Sequence, residues 1–196
     1  MSNRLKYQKM FSEGRVINLG CGDCPVDFGP DAVHVDFDFY NYPNFVKADI
    51  HNLPFKDNEF DTAVMGDVLE HCYDPVKALR EAGRVAKKVV ATVFEEWRVV
   101  PGGYAEQDKK KKADIKAMGF DSEFDYFKSL PTHKDKIVAV EPDDKVPHHS
   151  HLHNFTDDSL MEIIKSSGLN VNVFHKYMDG TVGDRPYFNW LLVLRK

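Results

Sequence analysis

Residues 16–22 read Val-Ile-Asn-Leu-Gly-Cys-Gly, an apolar run that stops in a glycine-spaced turn, and a second apolar run ends in Asp36, 14 residues after Gly22. A strand ending in glycines lets its backbone approach a ligand with no Cβ in the way. An acidic residue at the tip of the next strand can accept hydrogen bonds from two ribose hydroxyls. The pairing therefore predicts a nucleoside-binding edge. A nicotinamide or flavin dinucleotide is disfavoured, because its fingerprint needs a further glycine where a helix packs on the strand, and this chain has Pro25 there.

These residues need a sheet to carry them. Short apolar runs at about Arg15–Leu19, Ala32–Asp36 and Phe45–Ala48, then Phe60–Gly66 and Val89–Phe94, read as strands of a parallel sheet covered on both faces. Residues 6–12 form a short leading helix, whose Tyr7 and Phe11 are expected to pack on that sheet. Pro25, Gly29 and Pro30 interrupt the segment between Gly22 and Val33, so the first crossover is predicted to be a loop or a single turn. Asp74 is an N-cap with Pro75 at the first helical position, and Val76, Leu79, Ala82, Gly83 and Val85 give a helical stripe to about Ala86, closed by Lys87 and Lys88 at its negative end. Thr156 caps a second helix that Gly168 ends. Leu169–His175 and Tyr187–Leu194 are the last strands, joined by a turn containing Asp179-Gly180 and Gly183-Asp184.

The glycine turn resembles the first motif of the class I S-adenosylmethionine-dependent methyltransferases, and the resemblance continues in order along the first half of the chain. Val-His-Val-Asp (33–36) is similar to the family's second strand, and Lys-Ala-Asp-Ile-His-Asn-Leu-Pro-Phe (47–55) to its adenine loop. Phe-Asp-Thr-Ala-Val-Met-Gly (60–66) resembles the fourth strand, and Asp-Val-Leu-Glu-His (67–71) the segment that follows it in small-molecule enzymes of the methyltransferase domain 11 type. The resemblance implies an α/β, Rossmann-like, doubly wound seven-stranded sheet with its last strand antiparallel, as a single domain over 1–196. It also implies S-adenosyl-L-methionine as cofactor. Asp36, followed by Phe37, would hold the ribose. Asp49 would receive the adenine amino group, with Ile50 over the ring. Asn18, Gly20, Cys21 and Gly22, with Met65 and Gly66, would border the methionine part. Two positions depart from the family. Asn18 stands where an acid is usual, bringing no charge toward the ligand's ammonium group, and Cys24 stands where a third glycine is usual.

Residues 97–153 break the pattern and are expected to form a lid-like substrate-side insertion over the carboxyl ends of the strands, with a helix over Gln107–Met118. Its lysine run 109–112 suits a solvated helix face, and Phe120, Phe124, Tyr126 and Phe127 suit either packing or an acceptor pocket. Alternate histidines on an extended chain share one face, so His149, His151 and His153 could converge on a metal or on the acceptor. The segment 151–156 is similar to a His-x-His-x-Phe-Thr run in related small methyltransferases, which implies an acceptor-side or structural role and no metal. His151 and His153 are candidate general bases, and His71 a residue bordering the acceptor. Cys21-x-x-Cys24 lies in a ligand turn followed by Pro25, so small residues beside the methionine tail are favoured over a redox pair or half a zinc site.

A formal net charge of −5 gives no general attraction to a polyanion, which makes nucleic acid an unlikely partner and a small molecule the expected acceptor. With 196 residues, 42% of them hydrophobic, and no long apolar segment, a folded cytoplasmic protein away from membranes is expected. The expected reaction is methyl transfer to an O or N atom. The rivals are aminopropyl transfer, disfavoured because no acid cluster follows strand four, and a non-catalytic cofactor-binding or scaffold module on the same fold.

Overall fold

The computed structural model describes residues 2–23, 26–95, 113, 116, 117, 119, 153, 155–182 and 185–196. Helix α1 (Asn3–Phe11) leads into β1 (Val16–Leu19), β2 (Val33–Asp36), β3 (Phe45–Lys47) and β4 (Phe60–Gly66). A 3-10 turn (Leu69–His71), α2 (Pro75–Val85) and β5 (Ala86–Phe94) follow, then α3 (Asp157–Ser167), β6 (Asn170–Val182) and β7 (Arg185–Arg195). Seven strands form one sheet in the order β3-β2-β1-β4-β5-β7-β6. The first five are parallel, and β7 enters antiparallel between β5 and β6, as the sequence led us to expect.

The continuous apolar runs follow from burial on two faces. On one face Ile17, Leu19, Val35, Met65, Ala91 and Leu192 pack with Leu79 of α2 and with Leu160 and Ile164 of α3. On the other, Val16, Val64, Val90, Leu191 and Val193 pack with Tyr7 and Phe11 of α1, in the role expected of them. Among the described residues the connections from β1 to β2 and from β2 to β3 contain no helix, as the prolines and glycines between Gly22 and Val33 predicted for the first of them. That leaves the space over the β1 and β2 tips to loops.

Cap chemistry sets the helix ends. Asp74 accepts the Lys77 N–H at 2.9 Å with Pro75 at the first position, and Gly168 closes α3 at φ +82°, where a Cβ would be strained. Two boundary expectations are corrected. Lys87 and Lys88 do not close α2: the chain passes directly into β5 at Ala86, where pairing with β4 claims both residues. Lys87 instead meets Asp61 at 2.7 Å and Lys88 meets Glu13 at 2.7 Å, while Arg84 is the basic residue of the last helical turn. Asp179-Gly180 is not a turn either. It lies within β6 at a register shift, because pairing with β7 continues out to Val182. Gly183 and Asp184, the helix predicted over 107–118 apart from Ala113, Lys116 and Ala117, the aromatics of 120–127, and His148, His149 and His151 lie outside the described residues.

At the start of α3, Thr156 Oγ1 accepts the Ser159 N–H at 3.2 Å and Ser159 Oγ accepts the Thr156 N–H at 2.8 Å. Thr156→Ala should lower stability by about 1 kcal/mol, read as a shifted urea midpoint with an unchanged denaturant slope. A midpoint equal to that of the parent chain would count against the cap.

Candidate functional site

Three parallel tips meet at one edge of the sheet. The N–H groups of Gly20 and Cys21 both donate to Val35 O, at 2.8 and 3.1 Å, which ties the turn after β1 to the end of β2. Gly20 has φ +67°, and a Cβ there would lie 2.5 Å from Val68 Cγ2, so only glycine lets the turn pass under the segment after β4. A Cβ built at Gly22 meets nothing within 4 Å, so the turn presents bare backbone to open space. Asp36 faces that turn. Its Oδ2 accepts the Gly22 N–H at 2.9 Å and its Oδ1 the Asp38 N–H at 3.1 Å. Burial pushes the Asp36 carboxyl above its ordinary range while these N–H groups pull it back.

Other expected residues are distributed around this edge. The Asn18 side chain is buried, with Nδ2 3.4 Å from His34 Nδ1, so it engages the neighbouring strand. Phe37 and Ile50 are half-buried, and Ile50 packs against the core. Met65 can border the methionine part through its backbone alone. It is fully buried in the core, because alternation along β4 aims it at the α2 and α3 face, so only its backbone lies at the edge. A Cβ on Gly66 would meet Gln8 Nε2 at 2.4 Å, so α1 accounts for that glycine.

Asp49 is held by a partner that the sequence reading did not single out. Asp74 N–H points to His51 Nε2 at 3.4 Å, which leaves the proton on Nδ1 to donate to Asp49 Oδ1 at 2.7 Å. His51 is buried, and its ring stacks on Tyr73 at 3.8 Å. Arg84 anchors the rest of this loop by donating to Phe55 O at 2.8 Å and Leu53 O at 3.0 Å. Tyr42 was also missed. It donates to Gly22 O and lies 3.5 Å from Cys21 Sγ. Burial pushes the Cys21 thiol up to about 11, opposite to what a redox or metal-ligating thiolate requires.

The segment after β4 gathers the remaining candidates. His71 closes the 3-10 turn with its N–H on Val68 O at 3.0 Å. His153 donates its backbone N–H to Glu70 O at 3.2 Å, and its Nε2 lies 2.8 Å from Cys72 O, which makes that nitrogen a donor. His153 thus joins the approach to α3 to the turn after β4, a structural role for one of its ring nitrogens. His151 lies outside the described residues.

Glu70 is wholly buried, and burial together with nearby Asp67 raises its carboxyl well above the ordinary range. The folded state therefore holds this proton more tightly than the unfolded chain does. The Glu70 contribution is fully present below the unfolded carboxyl range and is lost as pH rises toward the raised folded value. Glu70→Gln removes the titration, so its stability relative to the parent should improve between pH 5 and pH 8 in urea unfolding. A difference independent of pH would contradict a protonated Glu70.

Comparison with known proteins agrees with this geometry. Residues 24–94 match the family model Methyltransf_11, described as a methyltransferase domain. A 2-phytyl-1,4-naphtoquinone methyltransferase of Nostoc sp. (strain PCC 7120 / SAG 25.82 / UTEX 2576) is 46% identical over 50 residues, which are 24% of this chain and 22% of that protein. The chain thus aligns with about a fifth of the curated relatives it matches. An S-adenosylmethionine-dependent methyltransferase from Methanosarcina mazei shares the fold at TM-score 0.53 and 14% identity, over 93% of this chain and 92% of that one. The [4+2]-cyclase SpnF shares it at TM-score 0.59 and 15% identity, over 99% of this chain and 78% of that one. The cyclase shows that the fold alone does not name the reaction. The domain match adds to the fold: residues 24–94 are similar to a methyltransferase domain, within a seven-stranded α/β sheet of the order found in Rossmann-like methyltransferase folds.

Proposed function

We propose that the chain transfers a methyl group from S-adenosyl-L-methionine to an O or N atom of a small-molecule acceptor. The observation that carries this reading is Asp36, which is buried at the tip of β2 and turned toward an open glycine turn with backbone N–H groups on both its oxygens. An ionised carboxylate has about four lone-pair sites, so two ribose hydroxyls can be accepted beside those N–H groups. The residues fit the cofactor in kind. Asp36 and Phe37 suit the ribose, Asp49 with Ile50 the adenine, and the backbones of Gly20, Cys21, Gly22, Met65 and Gly66 the methionine part. Asn18 lies behind that surface, bonded to His34.

When bound, the cofactor supplies a methyl group activated by its sulfonium sulfur. The chain's own part is to align the acceptor and exclude water. The Gly20–Gly22 turn lies against Val68 of the segment Asp67–His71, so a nucleophile seated over the β4 tip would face the methionine end of the cofactor site. His71 is the candidate proton acceptor on this segment, and His151, the other candidate, lies outside the described residues. His153 is less suited through Nε2, which faces a carbonyl. The net charge of −5 favours a small acceptor over a polyanion. No helix among the described residues is long and apolar enough to cross a membrane, and a cytoplasmic location remains part of the proposal.

Asp36→Ala should weaken S-adenosylmethionine binding at least tenfold in titration calorimetry. Unchanged affinity would overturn the cofactor assignment.

A further inference from the structure

The tip of β4 carries a second polar cluster, which no sequence motif announces. Asp67 follows Gly66 in the left-handed region at φ +55°, a conformation that persists in a non-glycine residue only where its surroundings enforce it. Its carboxylate accepts Arg4 Nη1 at 2.5 Å, the Thr92 hydroxyl at 2.9 Å and Asn189 Nδ2 at 3.4 Å. Asp179 of β6 accepts the Arg4 backbone N–H at 3.0 Å. Asp67 thus gathers side chains from α1, β5 and β7, while β6 supplies Asp179 to the Arg4 backbone. Asp67 and Asp179, remote from each other in sequence, both bear on Arg4.

The surroundings are also incompletely bonded. Glu70 accepts the Phe94 N–H at 3.0 Å on Oε1, yet its Oε2 is buried with no hydrogen-bond partner among the described residues. Tyr177 Oη and Asn189 Oδ1, in side chains that are at most 5% exposed, are buried too and make no close hydrogen bond, the two side chains interacting with each other. Buried polar atoms without a close hydrogen bond are rare, and these lie around Asp67. Arg4 is different. Its side chain is 38% exposed, against 17% for Asp67, and a partly exposed ion pair holds weakly, so another cation can displace it.

We propose that Asp67, with Glu70, Asn189 and Tyr177, forms a subsite for an organic ammonium group on the methyl acceptor, and that this group and the Arg4 guanidinium compete for it. The inference rests on the methyl-transfer reading and names the chemistry of its acceptor. An ammonium group brings the charge that Arg4 gives up and three donors for Asp67 and the neighbouring oxygens, and beside that charge Glu70 would release the proton that burial holds on it. A hydroxyl brings one donor and no charge, and an anion would meet Asp67 and Asp179.

The test is calorimetry on the full chain with 2-phenylethylamine and 2-phenylethanol, with and without saturating S-adenosylhomocysteine. The amine should bind at least tenfold more tightly than the alcohol. Asp67→Asn should weaken the amine at least tenfold with S-adenosylhomocysteine affinity within about twofold of the parent, and Arg4→Met should tighten the amine several-fold. Equal binding of amine and alcohol, no amine binding to the parent and Arg4→Met chains, or an amine affinity indifferent to both substitutions would overturn the subsite. Should Asp67→Asn not fold, Arg4→Met decides alone. Failure of the parent chain to bind S-adenosylhomocysteine would count against the methyl-transfer reading, whereas intact binding without amine preference would sink the subsite only.

Discussion

Parallel pairing of β1 with β2 on one side and β4 on the other is the constraint on which the rest depends. It places Leu19 beside Val35 and Met65, so the glycine turn, Asp36 and the segment 67–71 all leave the sheet at the same edge. The two bonds from the turn to Val35 O then fix the height of Gly22 relative to Asp36. Each further group is positioned against this frame: Asp49 through His51, the loop after it through Arg84, and the segment after β4 through Thr92 and Asn189.

Where one local rule governs, the sequence was a sound guide. The Asp74 and Thr156 caps, the glycine stop at Gly168 and, among the described residues, the helix-free first crossover all follow from short-range chemistry, and they hold in the structure. The same is true of Asp36, because a strand's terminal residue must reach the edge to which the strand points. Lys87 and Lys88 were misread because helix and strand abut without a turn, and a dipole argument cannot see that β4 offers a ladder to pair with.

What stayed hidden was relational. The motif containing Met65 does not tell which way its side chain faces; the pleat decides that, and alternation sends it to the core, leaving its backbone at the edge. His51 reads as a loop polar residue, and only the folded chain puts Asp74 N–H and Asp49 on opposite sides of its ring. Asp67 and Asp179 are 112 positions apart in the sequence. Spacing rules cannot connect them, because the link runs through α1 and the antiparallel insertion of β7.

The helix-free crossovers carry a consequence for how the protein breathes. At one end of the sheet β6 and β7 pair with each other along their length, and β7 also pairs with β5, so this end should exchange its amide hydrogens only in large openings. At the other end β3 is a three-residue edge strand, and among the described residues no helix lies in the connections from the glycine turn to β2 and on to β3. Openings there should be local and cheap. A nucleoside bridging Asp36 and Asp49 would clamp this looser end, so occupancy would be recorded first as slowed amide exchange in β2, β3 and their loops, with the β6–β7 end scarcely affected.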